Sequence, residues 1–191
     1  GKTEFNWFRF AGSDRLLFSV SGTDMVDGEE ERFNRLYVLD IPTHAMSYVG
    51  RKSEGILGDD LLYTDPDGQF VLLALQTDIY SWPSVWRFPL DGTATKSGKQ
   101  VQAPIEGVWD WYADDAGVVR MGVENGSGFR KIRYRTKPED PLKVIATITK
   151  KDDANAIYDV IRIVTDSDDG YMIQTGLLGE TRLVKFNYAT R

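Results

Sequence analysis

Apolar and polar residues alternate with a period of two through much of this chain. The alternation is clear over residues 36–41, 118–123, 131–135 and 183–188, and it places successive side chains on opposite faces of an extended backbone. These runs are rich in Tyr, Phe, Trp, Val and Ile, which suit a pleated, half-buried surface. Helical periodicity is scarce. The best candidate, residues 153–159, predicts one turn or two. Between the strands stand Asp-Gly, Asn-Gly and Gly-Ser pairs, as expected for hairpins whose tight turns need φ > 0. The pattern predicts an all-β chain.

The turns recur. Asp65-Pro-Asp-Gly68, Asp114-Asp-Ala-Gly117 and Asp166-Ser-Asp-Asp-Gly170 each separate two strand-like runs, and their glycines lie 49 and 53 residues apart. Leu39, Phe88, Tyr134 and Phe186 fall at spacings of 49, 46 and 52 in the strands that follow. A strand-built period of about 50 residues is a propeller signature. It predicts one β-propeller-like domain over residues 1–191, with about four blades near 1–50, 51–104, 105–150 and 151–191, each a four-stranded antiparallel sheet. In the third blade, residues 108–113 form the inner strand and 118–123 the second. A flexible loop follows at 124–128, with the third and outer strands at 129–135 and 141–147. Residues 69–77 are apolar on both faces, as a strand sandwiched between neighbouring blades should be. The last repeat ends just after its third strand, so a closed four-blade ring and an open arc are both compatible with the pattern.

Composition narrows the function. A net charge of −6 and a pI near 4.9 oppose nucleic acid, which needs clustered Lys and Arg, and equally an anionic membrane surface. The longest apolar run, residues 70–75, is six residues, too short to form a membrane-spanning helix. With no Cys and a single His, disulfides, thiolate metal sites, a cysteine nucleophile and a His-based metal cluster are excluded. The chain opens on Gly rather than Met, which points to a processed or cut chain and leaves bacterial cytoplasm and periplasm both open.

Candidate chemistry is thin. Asp166–Gly170 has the acids of a calcium loop but the wrong spacing, and Leu177-Leu178 occupy the region where a closing Glu belongs, so an ordinary hairpin turn is the favoured reading. The run Asp27-Gly-Glu-Glu-Glu-Arg32 could meet a cationic partner or a substrate amine, but reads first as a solvated loop tip. Trp82, Trp86, Trp109 and Trp111 could form a ligand platform, but suit packing between blades better. His44 follows Pro42-Thr43 in an expected surface turn. Gly126-Ser-Gly128 sits in a hairpin and lacks the strand-to-helix setting of a nucleophile elbow. No dinucleotide, phosphate-loop or zinc motif occurs. No catalytic, cofactor-binding or metal-binding residue is assigned, and no cofactor is expected.

Residues 108–123, Val-Trp-Asp-Trp-Tyr-Ala-Asp-Asp-Ala-Gly-Val-Val-Arg-Met-Gly-Val, with Lys131-Ile-Arg-Tyr-Arg135, resemble the amino-terminal β-propeller of bacterial prolyl oligopeptidase-family serine peptidases, including acylaminoacyl- and dipeptidyl-peptidase-like members. Residues 61–75 and 181–191 are similar to the same pattern. The resemblance implies a propeller that caps a catalytic α/β-hydrolase domain and admits only small peptides. That domain, with its Ser, Asp and His, has no counterpart in this chain, so no catalytic residue carries over. The expected partners are that domain and peptide substrates. Exposed blade faces would also favour self-association, for instance a two-fold dimer joining two half-rings. A TolB-like ligand- or protein-binding propeller module is the alternative reading.

Overall fold

A computed structural model describes residues 3–51, 55–149, 159–175 and 180–190. The chain is all-β and propeller-like, and it divides into two compact units, Gly1–Ile105 and Glu106–Arg191. The first unit opens with β1 (Glu4–Ala11), β2 (Arg15–Val26), β3 (Glu29–Asp40) and β4 (Ala45–Val49), hydrogen-bonded in chain order. Short β5 (Leu57–Gly58) runs parallel to β3 beside Asn34 and Arg35. The second sheet follows the same up-and-down order, with β6 (Asp60–Thr64), β7 (Phe70–Leu75), β8 (Ser84–Pro89) and β9 (Lys99–Gln102). A single helical turn, α1 (Ala94–Ser97), interrupts the last connection.

In the second unit, β10 (Val108–Ala113), β11 (Val119–Gly126), β12 (Phe129–Tyr134) and β13 (Lys143–Thr149) make one meander. A further sheet contains three strands among the described residues: β14 (Asp159–Ile163), β15 (Asp169–Thr175) and β16 (Thr181–Asn187). The candidate helix at 153–159 lies outside the described residues except for Asp159, which opens β14.

Alternation puts one apolar face of each sheet against its neighbour, and each unit has its own core. In the first, Leu17, Leu36, Val38 and Val49 meet Val71, Leu73, Leu75 and Phe88. In the second, Met121, Ile132 and Tyr134 meet Ile163, Met172 and Tyr188. As the sequence predicted, β7 is apolar on both faces, with Val71 through Leu75 all buried.

The repeat residues Leu39, Phe88, Tyr134 and Phe186 all lie in third strands, paired with Leu16, Val71, Met121 and Gly170. The first repeat nevertheless departs by one residue. Val38 is the buried residue there, and Leu39 lies on the opposite face, because a one-residue slip exchanges the faces of a strand.

The turn glycines also divide. Gly68 and Gly117 have φ of +68° and +74°, where glycine is the easy choice. Gly170 is not a turn residue at all: it sits in β15, where an added Cβ would clash with the Arg162 carbonyl and the Tyr188 ring. In that turn Asp166 takes the left-handed conformation, at φ +53°. Acids lead these turns because they close them. Asp114 Oδ1 accepts the N–H groups of Ala116 and Val118, and Asp65 Oδ2 accepts that of Gln69.

Candidate functional site

The first sheet carries a cleft and, above it, a two-stranded ribbon. β2 and β3 pair without a break over twelve positions, from Arg15–Asp40 to Val26–Glu29. Asp27 and Gly28 close the ribbon with φ of +52° and +88°, both positive as a type I′ turn requires. The acidic run is therefore not a loop tip: Glu29, Glu30 and Glu31 are strand residues. Asp24 stands directly opposite Glu31, a like-charge pairing that works against the ribbon. On the opposite face of the ribbon, Arg32 meets Glu4 at 3.1 Å and donates to Ser21 Oγ at 2.6 Å. From the neighbouring sheet, Tyr80 donates its hydroxyl to Asp27 Oδ2 at 2.7 Å, and that carboxylate raises the phenol's pKa.

Beneath the ribbon, Val20, Gly22, Asp24, Phe33, Arg35 and Tyr37 line a cleft of about 360 Å³. Gly22 makes the hole, since a Cβ built there meets nothing within 4 Å. Arg35 rests its guanidinium 5.3 Å from the Phe33 ring centre and donates to the carbonyls of Asn34 and Ile56. Behind the cleft, on the inner face, runs a polar seam. Ser19 Oγ and Trp7 Nε1 both donate to Asp59 Oδ2, at 2.6 and 3.2 Å, while Asn6 bridges Ser19 and Ser21. This arrangement offers aromatic walls, one cation and an acidic rim; Ser19 spends its hydroxyl proton on Asp59.

The other sequence candidates are dispersed. In the Asp166–Gly170 turn, Asp168 Oδ1 accepts from Arg120 and the Tyr134 hydroxyl, and Asp169 pairs with Lys185 at 2.7 Å and with Asn187. Those carboxylates serve protein donors, and residues 176–179 beyond them lie outside the described residues. Trp111 is buried over Gly122. Trp86 packs on Phe88, with Arg51 stacked 4.1 Å from its ring centre. These two tryptophans pack, as expected, whereas Trp109 is 40% exposed. His44, at φ +58°, occupies the exposed β3–β4 turn, at the opposite end of the sheet from the ribbon. Ser127 lies in the two-residue turn between β11 and β12. The loop expected at 124–128 is mostly strand: Glu124 is held by Lys131 and Arg133, each at 2.8 Å, and these hydrogen bonds lower its pKa.

Sequence reasoning passed over Gly22, Phe33 and Arg35. Their signal was available, because Phe33, Arg35 and Tyr37 continue the alternation of β3 beyond residue 36. No protein-family model matches this chain, and no curated protein matches it.

Proposed function

We propose that this chain is a non-catalytic propeller domain of a larger prolyl oligopeptidase-family serine peptidase, gating peptide access to an α/β-hydrolase domain outside it. One observation carries the reading. Residues 108–123, which bear the strongest likeness, form β10, its Asp114–Gly117 turn and most of β11, the leading strands of a blade-like meander. The acidic ribbon suits the role, since a peptide arriving with a free amine is attracted by the carboxylates of Glu29–Glu31.

The test is the coding sequence downstream of Arg191. A Gly-x-Ser-x-Gly elbow followed by Asp and His is expected. A stop codon or further blades would select the TolB-like binding module instead. The chain as it stands should not hydrolyse peptide or ester substrates. Turnover that follows the protein through purification, and is lost on a single substitution within it, would overturn the assignment.

A further inference from the structure

Among the described residues, the first sheet uses one of its faces in the core of its unit. On the other, cross-strand pairing assembles two apolar rows. Phe8, Phe18, Tyr37 and Tyr48 are successive partners across all four strands, and so are Phe10, Leu16, Leu39 and Met46 beside them. Rings within the first row are in contact: Phe18 and Tyr37 stack at 5.7 Å, and Tyr37 and Tyr48 lie 5.5 Å apart. Phe5, paired with Val20, extends the surface toward the Gly22 cleft.

Phe5, Phe8, Phe10 and Met46 are 62%, 60%, 60% and 63% exposed. At ~200 Å² for a full side chain of this size, these four alone present about 500 Å². That is near the upper end of the largest apolar patch on a typical monomer, ~300–600 Å². With the half-buried members of both rows, the face approaches the ~800 Å² per partner of a standard interface.

We infer that this face docks a second copy of the chain, sheet on sheet, in a two-fold dimer. The inference does not rest on the peptidase reading; it needs only this face. Its area approaches what a stable dimer requires, and its two ends differ in shape. Phe10 and Met46 protrude at the turn end, while the Gly22 cleft opens at the ribbon end. A two-fold axis between the sheets and perpendicular to the strands lays the Phe10–Leu16–Leu39–Met46 row of each copy across the ribbon end of the other, with Leu16 and Leu39 opposite the cleft and Phe10 and Met46 flanking it. Charge selects the same axis. An axis along the strands would bring the two ribbons, each with Asp24, Asp27 and Glu29–Glu31, to one end of the dimer, whereas the perpendicular axis sends them to opposite ends.

Sedimentation equilibrium of the whole chain tests the inference. A dimer is expected at about 10 µM, and Phe8→Asp should weaken it at least about 10-fold, as for a buried aromatic anchor. Gly22→Trp is the second variant. It fills the cleft at a position with open space and no left-handed φ, so it should weaken the dimer while the circular dichroism spectrum is retained. Leu183→Asp, on an equally exposed residue of β16, should leave association unchanged. A monomeric wild type at that concentration overturns the inference. So does a dimer that resists both Phe8→Asp and Gly22→Trp, or one that Leu183→Asp dissociates.

Discussion

Arg120 reaches out of β11 into a closed setting. Its Nη1 meets Asp114 Oδ2 at 3.1 Å, its Nη2 meets the Tyr134 hydroxyl at 2.7 Å and Asp168 Oδ1 at 3.2 Å, and its Nε donates to the Arg135 carbonyl at 2.8 Å. A buried cation is tolerable only with such partners, and the arrangement also restrains the tyrosine. Burial first, and then the bond to Asp168, push the Tyr134 phenol well above the ordinary tyrosine range. Burial lifts Tyr188 to about 12. For a pKa raised on folding, the stabilisation is complete below the unfolded value, about 10, and is lost as pH rises through the folded value. The second unit is therefore expected to lose stability from about pH 10 upward. In an absorbance titration, these two of the nine tyrosines should ionise late, together with loss of circular dichroism. Uniform ionisation near pH 10 with the fold intact would refute this. None of the pairing was legible in the sequence. Arg120 and Tyr134 meet across neighbouring strands of one sheet, and only the packing of the next sheet brings Asp168 to them. Gly170 misled for a similar reason: its spacing matched the turn glycines, yet it was set by the Arg162 carbonyl and the Tyr188 ring beside it.

The ribbon of β2 and β3 shows how an element can be hidden by its own composition. Three consecutive glutamates after Asp27-Gly28 suggest a solvated loop, because like charges seldom face one another across a hairpin. Pairing nevertheless continues through them. The alternation that buries Leu36 and Val38 fixes the register, and the Asp-Gly turn has the twist needed to close it. The readable signal was that dipeptide; the charge run outweighed it. Two substitutions separate a paired ribbon from a loop tip. Gly28→Ala puts a Cβ on a residue at φ +88° and should cost about 1–2 kcal/mol. Glu31→Lys turns the repulsion opposite Asp24 into attraction and should add about 0.5 kcal/mol. Thermal melts should move in opposite directions for the two variants, whereas a loop tip would leave both unchanged. The same over-reading of polar residues shortened β11, where Glu124 and Asn125 pair with Lys131 and Arg130 rather than forming a loop.

At the scale of the whole chain, the period of about 50 residues was the most legible quantity, since each repeat became one meander sheet. Less legible was which sheet faces remain bare. Alternation shows that a strand has an apolar face without showing what covers it, and Phe8 and Phe10 read like any other strand aromatics. Net charge gives a further handle on the bare face of the first sheet. Each copy carries −6, so association through apolar rows must work against long-range repulsion between like-charged bodies. Salt screens that repulsion, with a Debye length near 10 Å at 0.1 M, and leaves apolar burial in place. Raising NaCl from about 20 to about 300 mM should therefore tighten the dimer, and sedimentation equilibrium at several salt concentrations would read the change. Neutralising the ribbon alone, by Glu29→Gln with Glu30→Gln, should reduce the slope only slightly, because the proposed axis holds the two ribbons apart. Association that weakens with salt would mean that attractive ion pairs hold the copies together, and apolar rows without charge pairs could not then be the interface.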